Sequence, residues 1–169
     1  MHVLVATDGA MNVERAAAFA HALAGDGKTT VATVVKVPRH LVQELRSKYG
    51  DKPPVTADVD AEYVGAPNVG AAMEKSFPGD DSLVAQYLGD KRVEICRPIV
   101  KAIRELGGEA SSHVMEADDI DEDILAMVKD LDVDVLVVGS HGHNAFQGLL
   151  GSTGAKVVRR SEVPVLVLR

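Results

Sequence analysis

The sequence predicts an α/β fold: a single open, doubly wound, five-stranded parallel sheet in the order 3-2-1-4-5. Two observations predict it. Short apolar runs alternate with helical patterns before residue 39 and again after residue 90, which is typical of a parallel sheet covered by helices on both faces. The first strand, helix and second strand also form a complete βαβ unit, whose two strands should be parallel.

The first elements lie close together in the chain. Residues 2–6 (HVLVA) predict a buried strand, and residues 7–10 supply turn residues after it. Apolar residues recur at helical spacing over 13–23 and predict a helix that stops at Gly25. Residues 30–37 are β-branched and apolar and predict a second buried strand.

Residues 39–90 predict an elaborated connection. Prolines and glycines there break up three short helical patterns, at 40–48, 69–76 and 82–88. A structureless loop of this length is uncommon in a compact domain, so we expect the segment to pack somewhere or act as a lid. The length of 169 residues predicts a single domain, 1–169, that carries this insert.

Regular alternation resumes after the insert. Asp118 or Asp119 can cap the predicted helix over about 121–131. The patterns predict, in order, a helix over about 91–106, a strand near 109–115, a helix over about 121–131, a strand over 133–138, a helix over about 153–161 and a strand over 163–168. In the predicted order the winding direction reverses between strands 1 and 4, and such sheets bind ligands beyond the carboxyl ends of the strands at that point.

Composition and charge narrow the class of function. The net charge of −7 argues against a chain that coats nucleic acid or anionic lipid. The chain begins with a strand and shows no apolar stretch long enough for a leader or a span, which predicts a cytoplasmic protein without membrane insertion. The acids concentrated over 116–134 are expected to form a solvated face rather than a metal site. Cys96 has no disulfide partner and is expected to be a small residue on a helix face.

Five glycines fall within residues 139–154, directly after the fourth strand. Glycine lets backbone amides approach a ligand, and the start of a helix at Gly151-Ser152-Thr153 favours phosphate. An ordinary loop with a capped helix fits the same local composition equally well. A P-loop is excluded because no G-x-x-x-x-G-K-[ST] exists, and a standard dinucleotide fold because no G-x-G-x-x-G follows the first strand.

With these residues the chain resembles the universal stress proteins. The resemblance covers the ATDGA ending of the first strand, the first helix, the second strand and residues 133–169. Its specific part is a motif of glycine, two residues, glycine, nine residues, glycine and then Ser or Thr. Here Gly139 and Gly142 match the first pair and Gly151-Ser152 the last, with eight residues, 143–150, in between.

The resemblance implies a Rossmann-like fold of the adenine nucleotide alpha hydrolase-like kind, with ATP, ADP or AMP as cofactor, with or without Mg²⁺. It implies that Thr7 and Asp8 lie on the ribose and adenine side, and that backbone groups of Val37 hold the adenine edge. The positions that would line the ribose and the phosphates are Val138, Gly139, His141 and Gly142, followed by Gly151, Ser152 and Thr153 for the outer phosphates.

Several of these residues have another interpretation. Asp8 could cap the first helix or its turn, with or without a ligand contact. His141 and His143 have a metal-like spacing, but no third ligand is evident and no metal is predicted. Arg159 and Arg160 are expected to be partners of the helix dipole rather than phosphate ligands.

The predicted function is a nucleotide-dependent stress or regulatory switch with an unknown protein partner. No catalytic residues are predicted, since an assured base and magnesium carboxylates are not evident, so any ATP hydrolysis should be weak. The alternative is a nucleotide-free homodimeric interaction module of the same fold. In either case the apolar last strand should lie at the sheet edge, where another strand or surface is expected to cover it. The resemblance implies a homodimer formed through Val165, Leu166 and Val167.

Overall fold

Five parallel strands form the sheet of the computed structural model, which describes residues 1–37, 80–140 and 151–169. The strands are β1 (His2–Ala6), β2 (Lys28–Val35), β3 (Glu109–Glu116), β4 (Val135–Gly139) and β5 (Val165–Leu168). Their order is β3-β2-β1-β4-β5 and every neighbouring pair is parallel. This confirms the predicted fold class and strand order.

The second strand starts and ends two residues earlier than the sequence pattern predicted. Lys28 and Thr29 already pair with β3, because backbone pairing does not require an apolar side chain at the exposed first position. Val37 therefore lies beyond the strand rather than at its end.

Five α-helices accompany the strands in the described parts of the chain. They are α1 (Val13–Ala24), α2 (Asp80–Lys91), α3 (Arg97–Glu105), α4 (Ile120–Asp130) and α5 (Ser152–Arg160). A π-helical turn, Arg92–Cys96, joins α2 to α3, so the predicted helices at 82–88 and 91–106 are one continuous helical segment. The break predicted at Gly89 is wrong, since a single interior glycine costs a helix only about 1 kcal/mol. The predicted helices at 40–48 and 69–76 lie outside the described residues.

Two separate hydrophobic cores cover the two faces of the sheet. Because side chains alternate along a strand, Val3 and Val5 of β1 face one core and Leu4 and Ala6 face the other. The first core contains buried residues of α1 and α3, and the second contains buried residues of α4 and α5. Because helices cover both faces, the sheet is doubly wound. The segments that lead from each strand to the next helix begin at the carboxyl ends of the strands.

A buried histidine, His2, connects the start of β1 to its neighbours. His2 Nδ1 lies 2.9 Å from the Leu131 carbonyl oxygen, and its Nε2 lies 2.9 Å from Thr30 Oγ1. A neutral ring satisfies both contacts if Nδ1–H donates to the carbonyl and Nε2 accepts from the hydroxyl. Burial lowers the pKa of His2, which favours this neutral form.

None of the helices in the described ranges is long and apolar enough to cross a membrane.

Candidate functional site at the carboxyl edge of the sheet

The turn after β1 is held by its own side chains. Thr7 N–H donates to the Ala32 carbonyl at 2.9 Å, and the Thr7 hydroxyl accepts from Gly9 N–H at 3.1 Å. The Asp8 carboxylate accepts from Ala10 N–H at 3.0 Å and is exposed. Asp8 therefore caps this turn. The alternative that it caps α1 is wrong, because Asn12 occupies that position and accepts from Arg15 N–H.

Gly9 brings this turn against the π-helical turn between α2 and α3. Its φ of +91° lies in the region that favours glycine, and an added Cβ would stand 3.4 Å from Ile95 Cγ1. Ile95 belongs to the π-helical turn, a feature that is frequent at functional sites. The contact places this part of the helix beside the carboxyl end of β1.

Val37 is held by helix α2, a contact that the sequence pattern does not predict. Its side chain is buried in a small cluster with Leu83 and Leu88 of α2. Tyr87 packs against the same cluster. The apolar spacing within 82–88 predicts a helix. It does not indicate that this helix packs against Val37, because residues 39–79 separate the two in the chain.

The two ends of the glycine-rich stretch are bonded to each other. Ser140 N–H donates to the Leu168 carbonyl at 2.7 Å, and the Ser140 carbonyl accepts from Gly151 N–H at 3.2 Å. The start of α5 is thereby tied to the end of β4. His141, Gly142 and His143 lie outside the described residues.

Helix α5 begins with a glycine that the fold itself does not require. Gly151 is the N-cap, with φ −56° and ψ 157°, a conformation that any residue adopts. No described atom lies within 4 Å of the position its Cβ would take. The first intrahelical bond runs from Ala155 N–H to the Gly151 carbonyl at 2.8 Å, so the helix offers no carbonyl to the N–H groups of residues 152–154. Ser152 is exposed and Thr153 half-buried in this first turn.

One acid of the predicted solvated face is buried instead. Asp121 is only 4% exposed, and its two carboxylate oxygens accept from Lys156 Nζ at 2.9 Å and from Arg160 at 3.0 Å. The hydrogen bond from Lys156 lowers the pKa of Asp121, and the same bond raises the pKa of Lys156. The prediction was wrong for Asp121 because the sequence does not disclose that α5 brings two cations to it.

Other predictions concern charges and a thiol near these helices. Arg159 and Arg160 lie in the last turn of α5, as expected of dipole partners, and Arg160 also pairs with Glu122 at 3.2 Å. Asp119 is the N-cap of α4, although its side chain makes no capping hydrogen bond among the described residues. Cys96 is buried in the first core, as expected of a small residue on a helix face, and burial raises its pKa to about 12.

The predicted nucleotide-binding residues that the structure describes all lie at the end of the sheet where the strands terminate. Ala6 is the register partner of Val138, so Thr7 and Gly139 follow side by side at the reversal between β1 and β4. Val138 is buried in the second core, which leaves only its backbone for a ligand. Among the described residues, no group of three or more His, Cys, Asp or Glu is arranged to hold a metal ion.

This arrangement defines a class of protein: a doubly wound α/β fold in which a tight turn and a glycine-capped helix lie at the reversal point, the place where such sheets bind ligands. The family model of the universal stress protein family matches residues 1–169. The chain therefore belongs to the universal stress protein family.

Solved structures agree with this fold. A universal stress protein from Archaeoglobus fulgidus in complex with dAMP is 17% identical, with a TM-score of 0.59 and coverage of 100% of this chain and 98% of that one. A universal stress protein in complex with cAMP is 19% identical, with a TM-score of 0.54 and coverage of 100% and 96%. A family protein from Arabidopsis thaliana with AMP bound is 16% identical, with a TM-score of 0.52 and coverage of 99% and 90%.

Proposed function

We propose that this protein binds an adenine nucleotide at the carboxyl edge of the sheet, with its phosphates at the start of α5. The observation that carries the proposal is the helix start itself. The N–H groups of residues 152–154 precede the first intrahelical bond, and no described atom lies within 4 Å of the position that a Cβ of Gly151 would take. Such a helix end attracts phosphate through its N–H groups and its dipole.

The other residues would divide the ligand between them. Asp8 is exposed beside Thr7 at the end of β1 and would face the ribose and adenine, while backbone groups at Val37 would hold the adenine edge. Gly139 would lie under the ribose and first phosphate, together with His141 and Gly142. The dAMP, cAMP and AMP held by solved relatives support an adenine nucleotide. Among the adenine nucleotides we propose ATP, with or without Mg²⁺. The titrations described below measure which number of phosphates the protein prefers.

We further propose that the nucleotide acts as a switch and not as a substrate. At this edge the Thr7 hydroxyl and the Asp8 carboxylate each already accept a bond within the turn, which suits binding better than proton transfer. Occupancy would then change which regulatory protein the chain binds. A cytoplasmic location and a single domain over 1–169 stay predictions.

A homodimer through β5 is part of the proposal. β5 is an edge strand, and its Val165, Leu166 and Val167 are all only half-buried. An exposed apolar edge is hazardous unless another strand or surface covers it. A second copy of the same strand would supply that cover.

The test begins with freshly purified protein, denatured and analysed for released small molecules by mass spectrometry. Calorimetric titrations with ATP, ADP, AMP and adenosine follow. Near-stoichiometric release of an adenine nucleotide, or saturable heat with affinity that rises with phosphate number, supports the proposal. No release and no heat would contradict it and would favour the nucleotide-free interaction module, for which the eight-residue spacing at 143–150 is the specific observation.

A further inference from the structure

We propose that Asp121 is a positioning residue for the phosphate-binding end of α5, an inference that rests on the proposed function. Asp121 belongs to α4, not to any segment that borders the crevice directly. It would act by fixing where α5 lies, and therefore where the N–H groups of residues 152–154 point.

Helix α5 buries few apolar side chains. It is nine residues long, and Val157 is its one buried residue. Val158 beside it is 42% exposed. Burial of a single valine stabilises a contact by only about 1.5–3 kcal/mol, which leaves the orientation of a short helix weakly determined.

Asp121 supplies the missing constraint. Its buried carboxylate accepts from Lys156 and Arg160 at 2.9 and 3.0 Å, one turn apart on the same face of α5. Two bonds to two points on one helix restrict its rotation as well as its distance from α4. Glu122 adds a third contact to Arg160, but it is exposed and therefore contributes less.

The start of α5 is held near β4 by a backbone bond from Gly151 N–H to the Ser140 carbonyl. The Asp121 pairs set the direction of the helix axis. Phosphate contacts depend on direction, because hydrogen bonds weaken steeply when misaligned. Loss of the pairs should therefore weaken phosphate binding even though neither cation need touch the nucleotide.

Charge alone predicts the opposite result, which makes the inference testable. Asp121→Asn removes one negative charge and leaves Lys156 and Arg160 without their buried partner, so simple attraction would strengthen binding of a polyanion. The double variant Asp121→Asn with Lys156→Met removes the pair without changing net charge. Lys156→Met alone keeps the Arg160 bond but lowers the net charge by one, so it serves as the control for loss of the lysine.

The experiment is calorimetric titration of the full chain with ATP and with adenosine. For the charge-neutral double variant we expect the affinity for ATP to fall about tenfold, the equivalent of one charge-assisted hydrogen bond, with adenosine affinity within about twofold of the wild type. Asp121→Glu, which keeps the carboxylate, should retain most of the ATP affinity. An unchanged preference for ATP over adenosine in the double variant would overturn the inference, as would an equal loss for both ligands, which would indicate general loosening of the fold.

Failure of the inference can be told apart from failure of the proposed function. A wild-type protein that binds neither ATP nor adenosine contradicts the function and the inference with it. A wild-type protein that prefers ATP, with a double variant that keeps this preference, contradicts only the role of Asp121. Thermal unfolding of each variant, which must begin above the titration temperature, ensures that folded protein is compared.

Discussion

Replacement of Gly151 with serine should separate what this residue does for the fold from what it does for a ligand. Its backbone angles suit serine, and no described atom obstructs a Cβ there. Serine is a preferred N-cap, whose hydroxyl accepts from an N–H group of the first turn and stabilises the helix by a few tenths of a kcal/mol relative to glycine. We therefore expect Gly151→Ser to unfold in urea at the same or a slightly higher midpoint.

Nucleotide binding should respond in the opposite direction. The new hydroxyl takes an N–H group of residues 152–154 that the phosphates would otherwise use, and the new Cβ stands in the space in front of them. Loss of one hydrogen bond to a charged group costs about 1.5–3 kcal/mol, or roughly 10- to 100-fold in affinity. Calorimetric titration should show this loss for ATP and little change for adenosine.

The matched control is Ala22→Ser, an exposed small residue near the end of α1, at the opposite edge of the sheet. It should leave both affinities unchanged. If Gly151→Ser bound ATP within twofold of the wild type, the phosphates would not lie at the start of α5. If instead it lost more than about 1 kcal/mol of stability, the argument that the fold does not require glycine here would be refuted.

Three further variants or conditions test the fold and the assembly. Gly108→Ala should lower the free energy of unfolding by about 1–3 kcal/mol, because the added Cβ would stand 2.8 Å from Ile103 Cγ2; unchanged urea denaturation would contradict the packing described. Burial lowers the folded-state pKa of His2, so its contribution to stability is present above its unfolded pKa near 6.5 and is lost as pH falls through the folded value. Urea midpoints should therefore drop between pH 7.5 and 5.5, and His2→Asn should drop less; an equal drop would exclude His2 as a cause. Val167→Lys should weaken the proposed dimer, and a variant that still sediments as a dimer at low micromolar concentration would refute pairing through β5.

The central strands β1 and β4 could be predicted because their residues are buried on both faces of the sheet. A strand such as β1, buried at every position and apolar after His2, fits inside a parallel sheet that is covered on both faces, and the handedness of βαβ units then restricts where its neighbours lie. The bounds were less accurate. Backbone pairing extends through polar residues such as Lys28, which no apolar pattern marks.

The site could be predicted only in part. The turn after β1 and the start of α5 carry local signals, namely glycine and hydroxyl residues after a strand or before a helix. The contacts of Val37 with α2 and of Asp121 with α5 are long-range, and one sequence holds no local sign of either. A buried acid and an exposed acid look alike until the partner that neutralises it is known.

The bond between Ser140 and Gly151 bears on the one residue by which this chain departs from the family motif. The bond joins two points of the chain separated by ten residues, 141–150, irrespective of the course they take between them. For a flexible segment the entropy of closure changes with the logarithm of length, so ten residues in place of eleven alter it by only about 0.1 kcal/mol. A change of one residue in the spacing of the motif therefore has little effect on the free energy of closing this segment, as long as the bond between Ser140 and Gly151 is kept.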